Sequence, residues 1–428
     1  MIEPGKRKQV HQKIFYFLIL SIVFLIPVYG RILPMLIGLL FLNWLVEGSY
    51  VRTIPLLFKE RKRFELFSFS LLYLLYLLGL SYSSNLKYGG FDVEVKLSLF
   101  LFPLIFATSE PFFLQKEKST AILFSFIAGC FSSTLLLYGH AAYSMIADHN
   151  NGAFYYEELS WYFHPSYLAM YMTFAIAILA YWLMEGYRVL SRYQLTGILL
   201  LIINFFIFVI LLNSKAGILS LFMVIIFYAV SLVVLKHNWL PGAGILVFSV
   251  SLFFICMTLF PYSGERLKQA EKDLRSADSN EKNPKSTADR IEIWSSSLEI
   301  IRGHWLFGVG TGDVKDALME RYKANNFTNI LNKKFNAHNQ YLQTFISIGI
   351  FGLITLIYML VFPAIQAFRR EYFIYFLFLA IFAVNIMVES MFENQAGVVF
   401  YALFNALLFT SDRQYPFSNP FNIFVRQA

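Results

Sequence analysis

The chain has 428 residues, of which 57% are hydrophobic, 18% aromatic and only 14% charged, with a formal net charge of +8. A soluble domain is about one-quarter charged, and a chain of this length ordinarily divides into two or three domains joined by polar linkers; here the first polar linker begins near residue 262. An ordinary soluble enzyme is excluded. Nucleic acid is excluded as a partner too, because the basic residues form short clusters between apolar runs instead of a cationic groove interleaved with aromatics.

The N-terminus, Met1 to Lys13, is basic and runs into an apolar stretch that Pro27, Tyr29 and Arg31 end without a small-residue cleavage site. It reads as a retained first span and not a removed signal peptide. Crossing the hydrocarbon core takes about 20 apolar residues, and runs of that kind are expected at 14–30, 32–48, 65–83, 95–109, 119–145, 165–185, 194–212, 216–235, 242–261, 339–365, 371–390 and 395–411. The expectation is therefore an all-α, polytopic transmembrane bundle of about twelve spans. All are read as helices because backbone groups in lipid must be satisfied within the segment, and the alternating pattern of a barrel is absent. The domain plan is an N-terminal bundle over 1–261 with about nine spans, a large loop over 262–338, and about three spans with a tail over 339–428. Cys130 and Cys256 both lie inside apolar runs, which argues against a disulfide framework.

Alternate short connections carry the positive charge: Lys6 to Lys13, Arg52 to Arg63, Lys116 with Lys118, Arg188 with Arg192, Lys236, Arg369 with Arg370, and Arg413 with Arg426. The opposite short connections hold only Arg31, Lys87, Lys96 and Lys215. By the positive-inside bias both termini are cytoplasmic and the long loop lies outside. The outer connections then collect Asp92, Glu94, Asp148, His149, Glu157, Glu158, His164, Lys215, Glu389 and Glu393, so recognition or chemistry is expected at that face.

Lys215 sits in a tight turn, Asn213 to Gly217, between two apolar spans. It either snorkels to headgroups or holds an anionic group at the membrane edge. Within the loop, residues 263–289 are polar with alternating charge, which reads as an exposed helix followed by a mobile stretch. Order is expected from Thr287, an N-cap placing Arg290 in the first turn, and Ile291, Trp294, Leu298 and Ile301 recur at helical spacing on a face that lies against the bundle. The helix is expected to end at Arg302-Gly303. Gly308-Val309-Gly310-Thr311-Gly312 follows: alternating glycines at 308, 310 and 312 allow close backbone approach and offer N–H groups to an anion, or simply make a tight turn. With no strand before it, a dinucleotide fold is excluded.

The loop closes with Phe335-Asn336-Ala337-His338-Asn339-Gln340-Tyr341-Leu342. His338 heads a helix with no other ionisable group until Arg369. The positive end of that helix disfavours a second proton on the ring, which suits a general base; a structural interfacial histidine is the other reading. Glu389 and Glu393, four apart, are expected on one helical face at the outer end of their span, pairing with a loop arginine as scaffold or binding hydroxyls.

In this order and topology, Ser214-Lys215, Arg290…Trp294, the glycine run, Ala337 to Leu342, and Gly349 with Gly352 resemble the superfamily of O-antigen ligases and O-antigen polymerases over roughly 200–365; the earlier spans match only in hydropathy. The resemblance implies a GT-C-like membrane glycosyltransferase that uses neither metal nor cofactor and transfers a glycan from undecaprenyl diphosphate at the periplasmic face. It also implies that His338 matches the family's essential histidine and Arg290 an essential loop arginine. Lys215 falls where the family usually has arginine; lysine keeps the charge but loses the bidentate fork that suits phosphate. Asn339, His164, Glu389, Glu393 and the three glycines of the run are further candidates for holding diphosphate or glycan. A ligase acting on lipid A–core oligosaccharide, a polymerase and a protein O-oligosaccharyltransferase share these motifs. A transporter or flippase would instead show midspan charges and two repeated halves, which the sequence does not display.

Overall fold

The computed structural model describes residues 4–109, 116–186, 188–234, 239–259 and 286–411. The polar front of the long loop expected at 263–285 and the tail after residue 411 lie outside the described residues. Among those residues the chain is helical, with no strand. The helices are α1 (Pro4–Leu25), α2 (Leu33–Glu47), α3 (Tyr50–Leu57), α4 (Arg61–Ser68), α5 (Leu71–Leu80), α6 (Leu86–Lys96), α7 (Ser98–Thr108), α8 (Lys116–Ala147), α9 (Tyr156–Ser160), α10 (Pro165–Gly186), α11 (Arg192–Leu212), α12 (Lys215–Val234) and α13 (Trp239–Leu259). The loop contributes α14 (Ser286–His304), α15 (Val314–Ala324) and α16 (Thr328–Lys333), and the chain returns through α17 (Gln340–Arg369), α18 (Phe373–Ile386) and α19 (Gln395–Thr410).

Among the described residues seven helices are long and apolar enough to cross a membrane, and α4 with α5, bent by 41°, makes an eighth if the pair is one span. The other runs among the expected twelve or so form shorter helices. The runs at 95–109, 371–390 and 395–411 fold as helices of 11, 14 and 16 residues, about 17, 21 and 24 Å at 1.5 Å per residue against a core of about 30 Å. At 242–261 the described apolar part is Trp239–Ile255. The hydropathy of these runs reflects burial in protein as much as in lipid: Gly397 to Phe409 are all buried, and α19 packs on α7 while α18 packs on α10, α12 and α17. A helix wrapped by other helices need not match the bilayer thickness.

The two ends of the bundle differ. At one end, Lys62 donates to the Thr410 carbonyl at 3.2 Å, Arg63 to the Ala107 carbonyl at 2.7 Å, and Gln366 to Glu65 at 3.4 Å. This gathers the basic stretch around residues 61–63 with the ends of α7, α17 and α19. The starts of α17 and α19 and the end of α18 meet at the other.

The loop helices enclose a second core of Ile293, Ile300, Ile301, Val314, Leu318, Tyr322, Ile330, Ala337 and Ile346. Here the phase expected for α14 is corrected. Its buried face is Ile293, Ser296, Ser297, Ile300 and Ile301, whereas Ile291 and Leu298 are exposed by 60% and 49%. Two serines, Ser296 and Ser297, are fully buried on this face, Ser296 accepting from Asn325 at the end of α15, so the apolar positions alone misplace the stripe. The helix already runs at Ser286 and continues to His304, which puts Thr287 inside it.

α17 is broken at Ile348 and Gly349, the latter at φ 65° and ψ −158°. The glycine run repairs the break. The carbonyls of Ile346 and Ser347, cut off from their helical partners, accept from Val309 at 2.8 Å and Gly310 at 2.9 Å, while the Ile350 N–H turns to the Trp305 carbonyl at 2.9 Å. A Cβ on Gly349 would lie 2.2 Å from the Leu306 oxygen, and one on Gly308 2.4 Å from the Ser347 oxygen. Gly349→Ala is therefore expected to destabilise the protein by about 2 kcal/mol or more, through positive φ and a backbone clash that cannot relax. Gly139→Ala, where nothing lies within 4 Å, should be neutral to slightly stabilising; thermal unfolding of both in detergent checks the contrast.

Candidate functional site

His338 is fixed before α17 begins. Its N–H bonds the Asn336 side chain at 3.0 Å, the Ala337 N–H bonds Gln343 Oε1 at 3.1 Å, and φ at His338 is 42°. Asn339 caps α17 by accepting from the Leu342 N–H at 3.1 Å, and its own N–H donates to Ser390 Oγ at 3.2 Å. That oxygen of Asn339 is spent on the cap, which fixes the chain where the histidine precedes α17. The Ser390 contact draws the α18–α19 connection up against His338.

That connection carries Glu389. Its Oε2 lies 3.1 Å from His338 Nδ1 and its Oε1 accepts from Arg290 at 3.0 Å. Glu389 is 10% exposed, Arg290 24% and His338 22%. Burial alone would raise the Glu389 carboxyl, but the His338 hydrogen bond and the charges of His338, His164 and Arg290 outweigh it and hold the group below its ordinary 4.5. A carboxylate only accepts, so the Nδ1 facing it carries the ring proton. Nε2 is left as the lone-pair nitrogen, the arrangement in which a carboxylate orients a histidine base. Positive helix-end potential was the expected influence on His338; the structure puts a carboxylate against the ring instead.

His164, just before α10, accepts from the Ser166 N–H through Nδ1 at 3.3 Å and is close enough to act on Glu389. Lys215 opens α12 with an exposed side chain. Ser214 beside it bonds Ser166 Oγ at 3.1 Å, so lysine and His164 stand at the same end of the bundle. Thus Arg290, His338 and Glu389 touch, His164 adjoins them, and Lys215 shares their end.

Two expectations are corrected. Glu389 and Glu393 do not share a helical face: α18 stops at Ile386, and Glu393 lies in a single 3-10 turn, Met391–Glu393. Glu389 takes the loop arginine, as the scaffold reading expected, whereas Glu393 pairs with Lys96 at 2.8 Å. The N–H groups of Gly308, Gly310 and Gly312 are all used within the protein, on the His304 carbonyl, the Ser347 carbonyl and Ser83 Oγ. The run is a packing seam and offers no anion nest.

Sequence reasoning missed the support beneath the site. Lys96, fully buried, lies between Asp92 and Glu393, with its ammonium 4.8 Å from the Tyr76 ring centroid. Tyr76 bonds Thr344 at 3.0 Å, Gln340 bonds Thr344 at 3.1 Å, and Gln340 Oε1 accepts from the Phe392 N–H at 2.7 Å. This network locks α5, α6, α17 and the Glu389 connection together. The usable signal was the i,i+4 spacing of Asp92 and Lys96 in α6. Burial, then the charge of Glu393, push the Asp92 carboxyl up to about 7.

Removing the lysine leaves two buried carboxylates unpaired, so Lys96→Met should cost about 3–5 kcal/mol, read as a lowered melting temperature. The raised Asp92 value carries its own sign. The protonated acid favours the fold, so its contribution is complete below the ordinary 3.8 and is lost as pH rises through about 7. The melting temperature should fall over that window in the wild type and flatten in Asp92→Asn.

Residues 197–357 match the family model described as O-antigen ligase. No curated protein matches the chain. The matched stretch contains Lys215, Arg290, the glycine run and His338; Lys96, His164, Glu389 and Glu393 lie outside it and join the site only through the fold. That match, over residues 197–357, agrees with the resemblance read from the motifs: this part of the chain is similar to O-antigen ligases.

Proposed function

We propose that this protein is a glycosyltransferase that moves a glycan en bloc from undecaprenyl diphosphate to lipid A–core oligosaccharide, at the periplasmic face of the bacterial cytoplasmic membrane, with inversion and without a metal. The family match supports ligase- or polymerase-type chemistry on lipid-linked glycans in a membrane. The observation that carries the reading further is the contact of His338 with a buried carboxylate that also holds Arg290.

In the proposed step, an acceptor hydroxyl gives its proton to His338 Nε2 as its oxygen bonds to the anomeric carbon. The anomeric C–O bond breaks on the opposite side, and its electron pair leaves on the diphosphate. Glu389 keeps Nδ1 protonated and steadies the imidazolium that forms. Charge growing on the leaving group calls for cations at its oxygens. Arg290 has donors beyond the one used on Glu389, and Lys215 supplies a second charge. The basic end of the bundle would face the cytoplasm, which leaves the His338 end outside, and exposed apolar helix faces would receive the polyprenyl chain.

His338→Ala should reduce transfer by about a hundredfold or more, the usual worth of a general base. Glu389→Gln should lower kcat with a smaller effect on KM, and Lys215→Arg should keep activity that Lys215→Ala loses. The assay is complementation of a deletion strain by each variant, read on envelope glycans. Full-length polymer left on the carrier supports a ligase, and single repeat units indicate a polymerase. Unchanged glycan in the deletion strain overturns the reading.

A further inference from the structure

The connection between α8 and α10 is held in a costly backbone shape. His149, Tyr156 and Trp161 all have positive φ, at 52°, 51° and 50°, a region that bulky residues rarely occupy and that structures keep where function requires it. Trp161 is the extreme case, with ψ −87°. The strain turns its ring outward, and the residue is 60% exposed.

The ring is nonetheless fixed. His140 of α8 stacks on one face with centroids 4.0 Å apart and planes 15° apart. Tyr162 stands across it at 5.2 Å and 70°, itself anchored by its hydroxyl on the Val28 carbonyl and flanked by Tyr29 at 6.5 Å. One indole face is thereby covered and the other is presented beside a perpendicular wall. Around it are exposed Glu157 and Glu158, with Asn150 bonded to Glu158 at 3.3 Å.

We propose that Trp161, backed by His140 and walled by Tyr162, is a stacking platform for a pyranose ring of the glycan. The chemistry matches. The C–H face of a sugar packs on an open π face whose partner positions are rigid, while carboxylate and amide groups at its edge take the equatorial hydroxyls. Charge also separates this from a headgroup anchor, because residues 146–164 contain Asp148, Glu157 and Glu158 and no lysine or arginine. An anionic lipid surface would be repelled there. Trp161 is three residues from His164, at most about 11 Å of chain, and His164 acts on Glu389. The platform thus adjoins the segment that carries His164, at the end of the bundle where the proposed base stands. This assignment rests on the glycosyl-transfer reading for its purpose, but binding can be measured without transfer.

The full-length protein in nanodiscs is titrated with two soluble probes released by mild acid from the envelope of the organism that makes it: core oligosaccharide and free repeat polymer. Saturation-transfer NMR reads binding. Trp161→Ala should weaken one probe about tenfold while Trp161→Phe stays within about threefold, and the probe that is weakened identifies the acceptor or donor side. Glu157→Gln should weaken the same probe less. Gly139→Ala, where nothing lies within 4 Å, should bind both as the wild type does, and because binding is read without transfer, a failed transfer reading and a failed platform give different results. The platform is overturned if Trp161→Ala binds both probes normally, or if its only effect is weaker association with lipid vesicles.

Discussion

Glu389 is a carboxylate placed where a lone charge could not stay. It is nine-tenths buried at the end of a helix hairpin, and an unpaired carboxylate there would cost several kcal/mol. Two groups from distant parts of the chain offset that cost: Arg290 from the first described helix of the loop, and His338 from the last residues before α17. Because each needs its own oxygen, the carboxylate fixes the distance between arginine and histidine as well as their identity. Remove it and the arginine loses its partner while the histidine loses the group that selects its tautomer. The loop, the α17 cap and the α18–α19 connection therefore meet at this one carboxylate, and the site exists only while all three are docked.

The same logic recurs one layer down with the signs reversed. Around Glu389 two bases flank one acid; around Lys96 two acids flank one base. Glu393 and Glu389 sit on the same short connection, so that one segment is held from below by Lys96 and from above by Arg290 and His338. Removing Lys96 leaves two buried carboxylates without their cation, and removing Glu389 leaves Arg290 without its carboxylate, whereas in the complete set each of these charges has an opposite neighbour. The connection is thus positioned by electrostatics from both sides and not by packing alone, which suits a segment that presents a reacting group yet has no helix of its own.

How much of this was legible depended on which force left its mark in the chain. Hydropathy marked the helices, and one basic cluster, around residues 61–63, marked the end of the bundle where α7, α17 and α19 finish. The residues Arg290, His338 and Glu389 could be singled out individually, because each is an ionisable group in an apolar or ordered context. Their contact could not be derived, since it depends on where α18 stops, and the hydropathy of 371–390 gives no sign of an end at Ile386. Short buried helices read as spans for a related reason: a core of protein and a core of lipid select the same side chains. The phase of α14 was lost because two serines, not two large apolar residues, are buried there. For Lys96 the spacing to Asp92 offered one half of the network, but nothing in the sequence places Glu393 beside it.

The glycine run shows why a motif can be read in the right place for the wrong reason. Its spacing suggests backbone amides open to an anion, yet each of those amides has a partner in the protein, and two of the run satisfy carbonyls that the Gly349 break would otherwise strand. The run and the break are one device: the first is needed because of the second, and both need glycine because backbone meets backbone within about 3 Å. This has a consequence for the proposed chemistry. With the amides spent, the positive field for a diphosphate comes from side chains, and Arg290 already shares its charge with Glu389. In that proposal Lys215 would carry more of the load than its position in the turn suggested, and a lysine, as a compact point charge without a planar fork, would meet it best through proximity to the phosphate oxygens and not through a fixed bidentate geometry.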